Sequence, residues 1–391
     1  MSEAIALIGF VLAGGYGKRL LPLTSRVPKP FLEILGRQLI DYSVELVREA
    51  GVKDVIVIAP PGYMGYARPR DERVFVVEQR GVDIQGALRT AYEEANARGE
   101  REVLAVYAGF ISNPLTVAKV ALEYYSTSGF PIVMALAPVA TGLETYGFVT
   151  LDYRGAITNF MQTREPSRSW LGGRGYVFAG VIVTDLEHLA DASREPFEQS
   201  IARLASSGMV GGVVFPGRWT EIGYPWDLLD AVKILLPQNS ITLSTSARVP
   251  RGAIASIGVV VDDGAVVEEG AIIIGPAYIG RKVEVRSGAV IKPFTSIEEG
   301  AIVEEGAVVS NSLIMKGARI GAHSEVRSSI VGEEAVIEPG AHVVEGTPDK
   351  LPERLAWLAE YLGEGVRLGA IIAPGYVVRC CSMAGRGAVL E

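Results

Sequence analysis

The sequence predicts an α/β chain in two parts: a mostly parallel sheet covered by helices on both faces over residues 1–240, then a solenoid of short repeats from Val249. Three observations carry this reading. Apolar runs and helical spacings alternate through the first 240 residues. A six-residue aliphatic period replaces that alternation at Val249. Aromatic residues fall away at the same point: the 391 residues include 4 Trp, 15 Tyr and 11 Phe, yet 249–346 holds only Tyr278 and Phe294.

Taken in order, Ile5–Leu12 is a nearly continuous apolar run ending in Ala13-Gly14-Gly15, as expected of a strand buried on both faces that enters a glycine loop. Gln38–Ala50 has helical spacing, with Leu39, Tyr42, Leu46 and Val47 on one side and Gly51 as the stop. Further strands are expected at Val55–Ala59, Val74–Val77, Val103–Tyr107, Ile132–Ala137 and Tyr176–Val183. Helices fit Gln85–Arg98, Pro114–Ser126, Phe197–Ser207 and Pro225–Leu235. In such sheets ligands sit at the carboxyl ends of the strands, which points to the loop after Leu12.

Residues 241–248 read as a linker. Every sixth residue from Val249 then gives Val249, Ala255, Val261, Val267, Ile273, Ile279, Val285, Ile291, Ile297, Val303 and Val309. The phase slips by one to Ile314, Ile320 and Val326, and again to Val331, Ile337 and Val343. Units such as Val267-Glu-Glu-Gly-Ala-Ile offer one inward aliphatic, a small corner residue and acids that can face water. No such unit buries its apolar face without neighbours above and below, so the repeat predicts a solenoid over 249–346. Glycine suits its corners and large rings do not fit narrow coils. In 347–391, Leu351, Leu355, Leu358 and Leu362 predict one amphipathic helix inserted along the solenoid, after which the rhythm returns at Val366, Ile372 and Val378.

Charge and cysteine usage narrow the function classes. The chain has 45 acids, 37 bases and a net charge of −8, which argues against nucleic acid and anionic membrane as bulk partners. The 28 Arg and 9 Lys are scattered. Cys380 and Cys381 are adjacent, too close for an ordinary disulfide span. A reducing, cytoplasmic setting is the expectation. No apolar run reaches the roughly 18 residues of a membrane span.

One motif points to a ligand. Leu12-Ala13-Gly14-Gly15-Tyr16-Gly17-Lys18-Arg19-Leu20-Leu21-Pro22-Leu23-Thr24, followed by Pro28-Lys29-Pro30, puts backbone donors and cations around one bend. Glycines let a polyanion approach closely, so consecutive N–H groups can cradle phosphate. Arg19 can hold phosphate oxygens bidentately, and Lys29 supplies a point charge.

This run resembles the signature of the sugar-1-phosphate nucleotidylyltransferases, the nucleotide-sugar pyrophosphorylases. The hexapeptide pattern resembles the left-handed parallel β-helix that many of them carry. A nucleotidylyltransferase domain with such a β-helix is similar to the mannose-1-phosphate guanylyltransferase and glucose-1-phosphate thymidylyl- or uridylyltransferase branches. The resemblance implies a Rossmann-like sheet of the GT-A type. It also implies in-line attack of a sugar-1-phosphate oxygen on the α-phosphorus of a nucleoside triphosphate, with pyrophosphate leaving. Catalysis would be positioning and charge neutralisation by magnesium, Arg19 and Lys29. It assigns nucleotide binding to Leu12, Ala13, Gly14, Gly15, Gly17, Lys18, Gln79 and Gln85, and sugar binding to Tyr146 and Gly147. A homo-oligomer formed through the β-helix is the implied assembly.

The pattern departs from the family at several places. The family holds magnesium with an Asp after a strand and a second Asp from a Trp-x-Asp motif. Here Phe110 takes the first position, where a benzyl group cannot ligate a hard cation. Glu221 takes the second and is the one candidate metal ligand in place, with Asp83 a substitute. Gln162-Thr163 stands where the family's sugar-contacting Glu-Lys pair is expected, and Phe178 where family members often carry an Asn before the Ala-Gly of a later strand. Only Pro60–Arg73 connects two strands where the family has a longer lid. Two readings follow: a nucleotidylyltransferase with an altered metal site, or a catalytically inactive paralogue that binds nucleotide or nucleotide-sugar and regulates or scaffolds an active homologue. A third, acyl transfer by the β-helix, would need His323 or His342, and the stretch after His323 lacks the Tyr and Asp that such acetyltransferases carry.

Overall fold

The computed structural model describes residues 7–81, 83–138, 147–162, 175–346, 368–385 and 388–391. β1 (Leu7–Leu12) is buried from Ile8 onward, as its unbroken apolar sequence requires. A hairpin of β2 (Glu33–Ile34) and β3 (Arg37–Gln38) turns at Leu35 and Gly36, both with positive φ, and leads into α1 (Leu39–Glu49). β4 (Val55–Ala59), β5 (Val74–Glu78), α2 (Ile84–Ala97) and β6 (Glu102–Tyr107) follow. The order β6-β1-β4-β5 is parallel throughout. Short β7 (Phe110–Asn113) precedes α3 (Val117–Ser128), β8 (Ile132–Pro138), β9 (Gly147–Leu151), β10 (Ile157–Gln162) and β11 (Tyr176–Asp185).

β11 runs antiparallel to β6 and turns the sheet into a mixed one on that side, where it also pairs with β8 and β9. After α4 (Leu186–Ala192) and α5 (Phe197–Ser206), β12 (Val210–Val214) pairs parallel with β8. β13 (Arg218–Glu221) pairs antiparallel with β7 in a separate two-stranded ribbon. β7, β9, β10, β12, β13 and α4 go beyond the elements predicted from spacing. Each is short, and its sequence lacks a clear period. Contacts divide the chain into two compact units. One comprises Met1–Tyr16, Lys29–Phe31 and Leu39–Glu221; the other comprises Gly17–Pro28, Leu32–Gln38 and Ile222–Glu391.

The second unit contains α6 (Asp227–Leu235) and the β-helix. Strands of two or three residues stack into three parallel sheets, with every third strand returning to the same sheet. Val261, Ile279 and Ile297 are successive register partners. Ile297, Ile314 and Val331 continue the column with one residue fewer per coil, which is the physical content of the phase slips. The inward Val, Ile and Ala side chains form one buried core. Neither ring enters it: Tyr278 faces outward between Ala277 and Ile279, and Phe294 occupies a corner at φ 62°. The corners are mostly glycines with positive φ, but Lys282, Asn311, His323, Ser328 and Glu334 adopt the same conformation.

The predicted helix at Leu351–Leu362 and the Val366 position lie outside the described residues. On either side, Gly346 and Leu368 exchange backbone hydrogen bonds of 3.0 Å, and the coil resumes with Ile372 on Val331 and Val378 on Ile337. Among the described residues no helix is long and apolar enough to cross a membrane.

Candidate functional site

The carboxyl ends of β1, β5 and β6 open into one pocket. It is lined by Leu12, Gly14, Gly15, Lys29, Gln79, Asp83, Ile84, Ala87, Tyr107, Ala108 and Glu221, all in the first unit. Neighbouring strands fix its rim: Ala13 N donates to the Ile58 carbonyl (2.9 Å), Gln79 N to Ala59 (2.9 Å) and Ala108 N to Leu12 (3.0 Å). Beyond Ala13 the backbone leaves the sheet. Among the described residues, the N–H groups of Gly14, Gly15 and Tyr16 donate to no protein acceptor. Three consecutive free donors form a nest suited to anionic oxygens. Gly15 has open space around its Cα, with nothing within 4 Å of where a Cβ would stand, so packing does not dictate glycine there. Lys29 lines the same pocket, and its N–H donates to the Tyr16 carbonyl (3.3 Å).

Gln79 is buried, and its side chain has one orientation set by the backbone. Nε2 donates to the carbonyls of Asp83 (2.7 Å) and Gly81 (3.2 Å). Oε1 is therefore directed toward Gly14, where a Cβ would lie 1.5 Å from it. This oxygen is buried with no protein donor among the described residues, and so is the hydroxyl of Tyr107. Burial, with the charge of Glu221 added, holds the Tyr107 hydroxyl well above the usual range, so it stays a neutral donor. A buried acceptor and a buried donor without partners are costly in an isolated protein. Both belong to residues that line this pocket.

The two positions where the family carries metal aspartates do come together, because Phe110 and Glu221 are register partners across β7 and β13. Glu221 lines the pocket. Phe110 is 1% exposed and stacks on Trp219 at 5.9 Å with an 18° interplanar angle. Asp83, the substitute candidate, caps α2 by accepting from Gly86 N (2.8 Å). Magnesium requires near-octahedral oxygen coordination, usually from one or two carboxylates together with substrate phosphates and water. No cluster of three potential metal-binding side chains occurs among the described residues. The donor set, one uncommitted carboxylate facing an aromatic stack, does not fit the two-carboxylate site that the resemblance implies.

The remaining sequence candidates have definite places. Arg19 lies in the second unit, 4.8 Å above the Tyr224 ring, and its Nη1 donates to the Tyr224 hydroxyl (3.3 Å). Asp227 fixes that corner by accepting from Gly223 N (2.8 Å) and Tyr224 N (2.6 Å). Gly17 has φ 77° and opens the short 3₁₀ turn Lys18–Leu20. Gln85 does not line the pocket; its amide donates to the Ser193 carbonyl (3.3 Å), and Ile84 and Ala87 of α2 face the pocket instead. Gly147 begins β9, where a Cβ would stand 2.8 Å from the Phe160 ring, so packing accounts for this glycine. Tyr146 and Thr163 lie outside the described residues, as does the Gln162 side chain. His323 is a corner residue at φ 55°, and the His342 Nδ1 is 3.6 Å from Glu325.

Tyr107 is a pocket residue that no motif marks in the sequence. Its signal was a polar aromatic ending the apolar run Val103–Val106, directly before Ala108-Gly109.

A model of the nucleotidyl transferase family matches residues 8–238, and one of the GMPPB C-terminal domain matches residues 273–378. The chain is similar to a bifunctional sugar-1-phosphate nucleotidylyltransferase/acetyltransferase of Sulfurisphaera tokodaii, 26% identical over 369 residues that cover 93% of this chain and 89% of the relative. It is also similar to the bifunctional protein GlmU of Methanococcus vannielii, 27% identical over 341 residues (83% and 77%). A probable mannose-1-phosphate guanylyltransferase 2 of Oryza sativa subsp. japonica is 22% identical over 345 residues (85% and 88%).

Proposed function

The chain belongs to the nucleotidyl transferase family, and from that premise we propose that its pocket binds a nucleoside triphosphate or nucleotide-sugar without efficient nucleotidyl transfer. The observation that carries this reading is an anion nest that shares its pocket with Glu221, whose register partner, at the family's first metal position, is the buried Phe110. The N–H groups of Gly14, Gly15 and Tyr16 receive phosphate oxygens, and the Lys29 ammonium balances their charge. Gln79 Oε1, held by the two bonds from its Nε2, accepts an N–H from the edge of the base. Arg19 and the Tyr146-Gly147 segment are the proposed phosphate and sugar contacts. In this reading the chain regulates or scaffolds an active homologue, and the β-helix organises a homo-oligomer. Family members generally use magnesium to neutralise developing charge, a contribution worth several powers of ten in rate; in this reading Glu221 without a second aspartate does not rebuild the family's two-carboxylate site.

A second reading, slow transfer by the chain itself, is favoured by Glu221, a carboxylate in the pocket with Lys29. Calorimetric titration with each nucleoside triphosphate and nucleotide-sugar, combined with pyrophosphate release in the presence of sugar-1-phosphates and magnesium, separates the two. The expected result is binding without turnover, and turnover gained in Phe110→Asp. Turnover by the native chain that disappears in Arg19→Ala would establish the second reading.

A further inference from the structure

The connection Pro60–Arg73 is short, and its Tyr63 and Tyr66 rings lie beside Tyr16 and Phe31, with Tyr66 41% exposed. These rings are part of a closed circuit. The Tyr16 ring meets Tyr63 edge-on (5.6 Å, 80°), Tyr63 tilts against Tyr66 (5.5 Å, 47°), and Tyr66 stacks on Phe31 (6.1 Å, 27°). Phe31 lies two residues after Lys29, whose N–H returns to the Tyr16 carbonyl and closes the ring of contacts. The connection is tied to the opposite wall as well: Gly62 N donates to Glu78 Oε1 (2.6 Å), one residue before Gln79. The Tyr16 hydroxyl reaches the Pro61 carbonyl (3.5 Å), and Tyr66 N closes the short turn on the Tyr63 carbonyl (3.1 Å).

We infer that Tyr63 and Tyr66 are positioning residues that clamp the glycine loop and the Lys29 segment against each other, so that the anion nest and its cation are preset before ligand arrives. The inference rests on the pocket being the nucleotide's. Free backbone donors in a glycine loop have no ladder to hold them, and glycine gives that loop the most conformational freedom to lose on binding. A rigid aromatic brace removes that loss beforehand, and preorganisation of this kind is read in affinity. The rings reach the pocket through Tyr16 and the Lys29–Phe31 segment, so their effect is indirect.

The test compares Tyr63→Ala, Tyr66→Ala and Tyr63→Phe in the full chain, using nucleoside triphosphate as the calorimetric probe. Hydrogen exchange of the Lys29 amide is followed without ligand. Each Ala variant should weaken nucleotide binding about tenfold and accelerate exchange at Lys29, with the rest of the sheet unchanged. Tyr63→Phe, which keeps the ring, should restore both. If the native chain binds no nucleotide, the functional reading fails and exchange at Lys29 alone decides the brace. Native-like affinity and exchange in the Ala variants would overturn it, and so would accelerated exchange spread over the whole unit, which would mean a general loss of fold.

Discussion

Glycine does different work in the two regions of this chain. At the β-helix corners Gly264, Gly288, Gly300, Gly306, Gly317 and Gly340 share φ values of 66–70°. There the requirement is backbone conformation, and Lys282, Asn311 and His323 meet it at other corners. In the pocket, Gly14 has no positive φ; its requirement is the amide of Gln79, which occupies the space of a Cβ. The repeat can exchange residues because each slot recurs. The pocket wall cannot, because each of its residues answers to one neighbour.

If the pocket and the residues packed behind it are singular, the largest loss should come from Phe110→Ala, the cross-strand partner of Glu221. The side chain is fully buried, stacks on Trp219 and sits against the Cα of Gly180, so its removal leaves a cavity. A destabilisation of about 3–5 kcal/mol is expected by denaturant unfolding. A loss under 1 kcal/mol would mean that the wall repacks as readily as a coil.

The next test lies within the repeat itself. Glu268 and Glu298 occupy the same slot of the same unit, Val/Ile-Glu-Glu-Gly-Ala-Ile. Glu268 is exposed, and hydrogen bonds from Ser287, side chain first and backbone second, hold its carboxyl below the usual range. Glu298 is buried, and accepts from Leu35 N (2.9 Å), Gly36 N (2.8 Å) and Ser296 Oγ (2.5 Å). Burial outweighs those bonds and pushes its carboxyl from 4.5 up to about 7. Between those values the folded chain keeps a proton that the unfolded chain has released. Stability should therefore fall as pH rises from about 4.5 to about 7 and level off above, by roughly 3 kcal/mol. Glu298→Gln should flatten that part of the profile, while Glu268→Gln should leave it intact. An unchanged slope in Glu298→Gln would assign it to other groups.

This pair also marks the boundary of what the sequence discloses. The period of Val and Ile predicts the inward aliphatic column from Val261 to Val343, because each coil repeats the same burial, and the buried alanines fill the slots between them. It cannot separate Glu298 from Glu268, since the difference is made by the Leu35–Gly36 turn, far away in sequence. In the first unit the glycine motif and its position after β1 were legible in the residues, and the convergence of positions 110 and 221 followed from the resemblance, which assigns both to one metal site. The orientation of the Gln79 amide, the turn of Gln85 toward Ser193 and the pocket role of Tyr107 were not. Each depends on backbone carbonyls or rings supplied by other elements.

Gly14→Ala tests the singular glycine directly. The new methyl must displace the Gln79 amide, which then loses its bonds to Gly81 and Asp83. Nucleotide affinity should fall at least about tenfold, with a stability cost of about 1 kcal/mol for the broken bonds. Equal affinity in the variant and the native chain would remove Gln79 from the site.

The same substitution at a corner should give the smallest effect and a different readout. At Gly300 φ is 67° and nothing stands within 4 Å of the Cβ position, so the only cost is the left-handed backbone. Gly300→Ala should destabilise by about 1 kcal/mol in denaturant unfolding and leave nucleotide affinity unchanged. Gly300→Asn should cost less, since Asn tolerates that conformation and Asn311 already adopts it at φ 46°. If Ala and Asn cost the same, the loss comes from something other than backbone conformation. The corner glycine would then be as singular as Gly14, and the distinction between repeat and pocket would rest on the aliphatic slots alone.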